Sequence, residues 1–419
     1  MPEELNASFE AFRAQAAATW DWFLNFASSP PGALTALAVF VAAVIGRTVV
    51  LDIWQRLVAR VGALIRSPET RLRADLRRHL LRNRPKGAPL LRIALFGLLQ
   101  DGDGGQLRHV IRSINRAVEG GGLDLDPHVV PCALRTGEGS EREDEARADR
   151  LALWFLDRAS AQIAILGEVR KKDEAVRLRF VQRDGSEERH HNLGLSDDGD
   201  LILSADFDER LGPVIVGRAL SQLRPECINA GRYVADLIGP AADLTAPLAE
   251  TPLPNLPARD QARIHETLAI MRGRQGEQTG DAAKLEAAVS NARRAVALCG
   301  RDEDAAFWAR ATVHLGTALQ TLGEREPGTA RLEEAVAAFR DALRERTRDR
   351  VPLDWAITQN NLGTAEEAFF DKTGDAAHLD RAAAHFEDAR DVFAEAGAGA
   401  YVQDVDRNLA RLRAERSGD

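Results

Sequence analysis

The sequence predicts an α+β chain in three parts: one N-terminal transmembrane helix, a central mixed α/β domain and a C-terminal all-α solenoid. Three observations predict this. A twenty-residue run with a single charge occupies residues 32–51. Short apolar runs alternate with amphipathic helical patterns between residues 90 and 224. Beyond residue 258, sequence landmarks recur at a step of 47 residues. The boundaries read as a short tail at 1–31, a transmembrane helix at 32–54 and a basic juxtamembrane helix at 55–87. The α/β domain follows at 88–238, a proline-rich linker at 239–257 and the helical repeats at 258–419.

The membrane helix comes first. At ~1.5 Å per residue, twenty residues span roughly 30 Å, the thickness of the bilayer hydrocarbon. Arg47, the one charge, stands near the end of the run, where its side chain can snorkel. Trp20, Trp22 and Trp54 flank the run as interfacial anchors. A buried core helix is the competing reading. A cleaved signal peptide does not fit the acidic leader (Glu3, Glu4, Glu10, Asp21). Residues 47–86 carry eleven basic and three acidic side chains, a net of +8 within a chain of −9. The basic side stays in the cytoplasm, so the N-terminus is expected outside and the domains inside a bacterial inner membrane. Inverted topology, with both domains periplasmic, is the alternative. Arg71, Arg73, Arg77 and Arg78 are candidate contacts for anionic lipid.

The central domain opens with "LLRIALFGLL", a buried-strand pattern. Leu107, Val110, Ile111, Ile114 and Val118 then share one helical face. "HVVPCAL" (128–134) reads as a strand. The acidic stretch 137–150 reads as a solvated loop running into a helix from about 145 to 160. Strand patterns follow at 162–170, 175–182 and 187–193, joined by "KKDE" and "RDGS". In the second, Val176, Leu178 and Phe180 face one way and Arg177 and Arg179 the other. Residues 206–224 return to helix. The stretches "RIALFGLL…DG" at 92–102, "ASAQIAILGEVRKKDEAVRLRFVQRDG" at 159–185 and "FDERLGPVIVGRAL" at 207–220 resemble the N-terminal domain of the Tol translocation protein TolB and its relatives. In bacterial signalling proteins such domains often precede tetratricopeptide repeats. The resemblance implies a non-catalytic α/β module and transfers no functional residues.

In the C-terminal part Trp308 and Trp355, Leu315 and Leu362, and Gly316 and Gly363 are each 47 apart. Leu285, Leu332 and Leu379 keep the same step, and "TGDAA" at 279 returns at 373. Each unit reads as a helix pair that buries its apolar stripe only against its neighbours. The pattern "W-A-x₅-L-G-x-A … L-E-E-A-V-A-A-F-R-D-A-L" resembles tetratricopeptide repeats of the longer type. The register aligns Thr267, His314, Asn361 and Asn408 in a polar ladder on the first helices, with Gln359 and Asn360 beside it. In related repeats, asparagines on this face clamp a bound peptide. His314, Gln359, Asn360, Asn361 and Asn408 are therefore the candidate peptide groove, and a solvated face without ligand is the competing reading.

Chemistry is the weaker signal. "HETLA" (265–269) starts like a zinc-protease helix, but Ala269 stands where the second histidine belongs. His190 and His191 are adjacent in a strand pattern and face opposite ways. Cys132, Cys227 and Cys299 fit neither a disulfide framework nor a zinc spacing. In "FGLLQDGDGGQL" (96–107), Asp103 takes the lysine position of a phosphate loop and Leu107 the third glycine position of a dinucleotide loop. Asp101 and Asp103 suit a helix cap instead. No nucleophile motif stands out. The expectation is a non-enzyme without metal or cofactor, and the acidic balance argues against nucleic acid. Five lysines among 55 basic residues suggest a GC-rich bacterial genome. The expected role is a membrane-anchored scaffold that recruits a protein partner through the repeats. Two alternatives stay open: a sensor whose α/β domain binds a small ligand or nucleotide, and a homo-oligomerising membrane component of an envelope or defence system.

Overall fold

Five strands form one sheet in the order β2-β1-β3-β4-β5. The computed structural model describes residues 68–82, 91–121, 123, 125–135, 140–182, 200–223, 234–251 and 253–417. β1 (Arg92–Phe96), β2 (Asp126–Val130) and β3 (Ile163–Arg170) run parallel. β4 (Ala175–Gln182) and β5 (Leu201–Ser204) complete the sheet antiparallel. Helices cover both faces because the strands are buried on both. On one face lie α1 (Pro68–Arg82) and α3 (Glu141–Ala159), packed on Ala94, Phe96, Ala164 and Leu166. On the other lie α2 (Gly105–Gly121), α4 (Gly212–Ser221) and α5 (Val234–Glu250), packed on Ile93, Leu95, Val176 and Leu178. The alternation read from residues 176–180 is therefore correct.

Several expectations need correction. From Glu141 the acidic stretch is helix and not a solvated loop: α3 begins there, behind a capping box in which Ser140 and Glu143 satisfy each other's backbone N–H. Asp144 and Glu145 are buried because Arg135, on the loop after β2, and Arg177, on β4, meet them. β2 ends at Val130, short of the expected 134, and α4 is preceded by a 3₁₀ turn at Glu209–Leu211. The expected strand at 187–193 lies outside the described residues, and β5 was not anticipated. The proline-rich linker is largely helix: α5 runs to Glu250 with Pro240 and Pro247 inside it. Each proline removes one helical hydrogen bond, but Ile238, Ala241, Ala242 and Thr245 are buried against the sheet's core, and that packing holds the helix. The segment expected to span a membrane, 32–54, lies outside the described residues. Among the described residues no helix is long and apolar enough to cross a membrane.

Seven helices follow: α6 (Ala258–Thr279), α7 (Ala282–Leu298), α8 (Ala305–Arg325), α9 (Ala330–Ala342), α10 (Pro352–Thr373), α11 (Ala377–Glu395) and α12 (Gly399–Ser417). Short connections fold α6 with α7, α8 with α9 and α10 with α11 into helical hairpins. The same contacts recur 47 residues apart. Gly316 lies against the Phe339 ring and Gly363 against Phe386; a Cβ at either glycine would come within 2.6 Å of ring carbon. Arg325 Nη2 donates to the Glu277 carbonyl at 2.9 Å, and Lys372 Nζ to the Glu324 carbonyl at 2.9 Å. Arg301 lies 5.8 Å from the Trp308 ring centre and Arg348 5.7 Å from that of Trp355. Both copies of "TGDAA" fold alike. Gly280 and Gly374 close their helices at φ 71° and 68°, and Asp281 and Asp375 each accept the N–H two residues on at 3.0 Å. These φ values suit glycine, which lacks the Cβ that would strain there.

The array is not hung on the α/β part by a tether. Ile264, Leu268 and Met271 of α6 enter the same core as β1, β3 and β4. Asp260 of α6 accepts the backbone N–H of Ser204 on β5 at 3.1 Å.

Candidate functional site

Two surfaces carry chemistry. The first is a cleft at the carboxyl ends of β1 and β3. The chain reaches β2 on one side of β1 and β3 on the other, so these ends are a topological switch point, where open α/β sheets take ligands. A cavity of about 470 Å³ lies there, lined by Leu99, Gln100, Arg135, Glu168, Lys171 and Lys172 among others. Leu99 N–H donates to the Gly167 carbonyl at 2.9 Å and narrows the crevice. Gln100 adopts φ 65°, unusual for a non-glycine.

Arg135 and Glu168, in the cleft's lining, belong to a buried ionic network that extends away from it between β4 and α3. Arg177 and Arg179 leave the face of β4 opposite Val176 and Leu178 and meet α3. Arg177 donates to Asp200 at 2.5 Å and to Glu145 at 3.0 Å. Arg179 donates to Asp149 at 2.5 Å, and Arg135 donates to Glu168. Burial pushes the Glu145 carboxyl above its ordinary value, against the pull of Arg179, Arg177 and Arg135. Lys171 and Lys172, on the turn between β3 and β4, make no ion pair among the described residues. A second cavity, of about 580 Å³, adjoins Arg177 and Glu145 and reaches Arg310, Arg346 and Val351 of the helical array.

The glycine loop is closed to phosphate by its own acids. Asp101 accepts the Gln106 and Leu107 N–H groups at 3.1 and 2.7 Å, and Asp103 accepts that of Gly105 at 3.0 Å. The bare donors that would hold an anion at the start of α2 are thus engaged.

The second surface is the polar ladder on α8, α10 and α12. His314, Asn361 and Asn408 are each partly exposed. The described residues give the Asn361 side chain no hydrogen bond, and the Asn360 Oδ1 is buried without one. Asn408 accepts weakly from Arg411, at 3.4 Å. Two expected members do not belong. Thr267 is fully buried, because α6 is enclosed by the sheet's core rather than open. Gln359 is also buried, and its Oε1 faces His385 Nδ1 on α11 at 2.8 Å. The contact recurs 94 residues earlier with the residue types exchanged: His265 Nδ1 of α6 faces Asn291 Oδ1 of α7 at 2.9 Å. Gln359 therefore joins the two helices of a pair.

His265 and Glu266, which resembled a metal helix, are both committed. Glu266 is fully buried and takes Arg310 Nε and Nη2 at 2.7 and 3.2 Å. Of the lipid candidates, Arg73 is partly buried, Arg77 and Arg78 are exposed and Arg78 pairs with Asp75. The Arg71 side chain, Cys227, His190 and His191 lie outside the described residues. The sequence reading missed Arg135, Glu145, Glu168, Lys171 and Lys172. The signal available was the arginine alternation on β4, which needed a charged partner. Compared with known protein families and with curated proteins, the chain matches none.

Proposed function

We propose that this chain is a membrane-anchored adaptor whose tetratricopeptide-like helix pairs recruit a protein partner at the inner membrane. The supporting observation is the recurrence of the packing contacts at one 47-residue step, with His314, Asn361 and Asn408 left partly exposed on successive first helices. Among the described residues the Asn361 side chain makes no hydrogen bond and so has little structural duty, whereas His314 also lies 3.8 Å from the buried Glu266. The Asn361 amide offers both a donor and an acceptor, the pair an extended polypeptide backbone presents in return. Residues 32–54 supply the anchor, and Arg71, Arg73, Arg77 and Arg78 meet anionic headgroups on the cytoplasmic side. Affinity capture with the full chain tests the groove. Asn361→Ala with Asn408→Ala should lose the specific partner, while Gln359→Ala, which alters only a contact within a helix pair, retains it. The same partner on all three proteins would sink the groove.

The cleft favours a second reading, in which the α/β part takes up a small anion and the chain acts as a sensor. Its location at the switch point favours it, as do Lys171 and Lys172, which make no ion pair among the described residues, while Glu141, Asp144, Glu168 and Asp173 in the same lining oppose an anion. A thermal-shift series with inorganic phosphate, pyrophosphate and nucleotides should then show a rise in Tm that Lys171→Glu with Lys172→Glu removes. A flat series rejects it.

A further inference from the structure

We propose that the face built jointly by α1 and the C-terminal half of α3 lies against an anionic lipid surface, with Trp154 at headgroup level among Arg77, Arg78 and Arg158. The proposal rests on the anchor reading and adds a second element to it, remote in sequence from the first. Leu72, Leu76 and Leu80 follow a four-residue step and pack into the core with Leu151 and Phe155. That packing fixes the rotation of α1 and leaves Arg77 and Arg78 exposed. α3 then brings Trp154 alongside. The Arg158 guanidinium lies 4.4 Å from the Trp154 ring centre, and that of Arg77 5.7 Å. Trp154 is partly exposed and Arg158 exposed. Asp75 and Asp157 are the acids paired on this face, with Arg78 and Arg158.

A ring with an apolar body and a polar N–H, flanked by guanidiniums, matches the chemistry of a headgroup layer. Long arginine stems can cover apolar surface while their charges reach phosphate. Chain connectivity favours lipid over an acidic protein as the occupant. α1 begins fewer than twenty residues after the apolar run ends, and that connection holds α1 within several tens of ångströms of any bilayer the run enters. The surrounding segment, residues 47–86, has the net charge of +8 that draws chain to an anionic leaflet.

The test uses the full chain with Trp20, Trp22, Trp54, Trp308 and Trp355 changed to Phe, so that Trp154 alone emits. The protein is reconstituted with phosphatidylcholine vesicles, with or without phosphatidylglycerol, carrying brominated acyl chains as quencher. The expected result is quenching of Trp154 in the phosphatidylglycerol vesicles, reduced severalfold by Arg77→Ala with Arg158→Ala and by high salt. Flotation of the same samples reports the anchor separately. A chain that floats with Trp154 unquenched in both lipids overturns the surface and assigns the face to solvent or to a protein. A chain that is quenched but is stripped from the vesicles by alkaline carbonate before flotation overturns the anchor and keeps the surface. Neither result overturns both. If the five-Phe variant does not fold, amide exchange in the unaltered chain gives the same reading. Exchange over residues 72–82 and 150–158 should be slower with phosphatidylglycerol than with phosphatidylcholine, and equal exchange rejects the proposal.

Discussion

Glu266 holds a demanding position for a carboxylate. It is fully buried on α6. Burial alone would raise its carboxyl, but Arg310, Arg218, Arg263 and His314 bring it down to about 2. A carboxyl held below its unfolded value of about 4.3 stabilises the fold fully above that value. The contribution is lost as pH falls from about 4.5 through about 2. Glu266→Gln should leave Arg310 buried without its counter-charge and lower stability by about 3–5 kcal/mol at neutral pH. Chemical denaturation followed by circular dichroism checks this, and the difference from the parent chain should shrink towards pH 2. A pH-independent difference would contradict the assignment. This residue was legible in sequence only as half of an apparent metal motif. Of its arginine partners, Arg263 stands three residues away on α6, but Arg310 and Arg218 lie some 45 residues away in either direction, beyond any local pattern. Arg177 and Arg179 were half legible: alternation showed their direction, but nothing local showed that Glu145 and Asp149 would meet them.

Among elements, the helical hairpins were the most legible, because each repeats its own packing. Gly316 is glycine because Phe339 occupies the space of a Cβ, and the next pair repeats this with Gly363 and Phe386. Gly316→Ala gains roughly 1 kcal/mol of helix propensity. Overpacking costs about 1–3 kcal/mol, so a net loss of stability is expected. Phe339→Leu in the same chain should recover part of that loss, and thermal denaturation of the three proteins measures both effects. A Gly316→Ala protein as stable as its parent would show that the helices are not fixed at this spacing. α5 was misread because proline is a strong local signal, and tertiary burial of Ile238, Ala241 and Ala242 outweighed it. The start of α3 was misread for the converse reason. A run of acids reads as solvated until basic side chains from a distant strand bury it.

For the whole molecule, the expected division into an α/β domain, a linker and an array becomes a continuous structure. α6 serves both as the first array helix and as part of the sheet's core, so the ladder on α8, α10 and α12 is held at a fixed offset from the cleft at β1 and β3. No periodicity in the sequence could reveal this, since the 47-residue register describes α6 only as one more repeat. The central claim is that the ladder face is where this chain meets a protein partner. Site-specific photocrosslinking in membranes tests it most directly, with the photoreactive residue placed singly at Asn361, at Asn408 and, for contrast, at Arg293 and Glu334 on the second helices. The account predicts one discrete protein adduct from Asn361 and Asn408 and none from Arg293 and Glu334. Equal adducts from both sets, or adducts confined to Arg293 and Glu334, would contradict it.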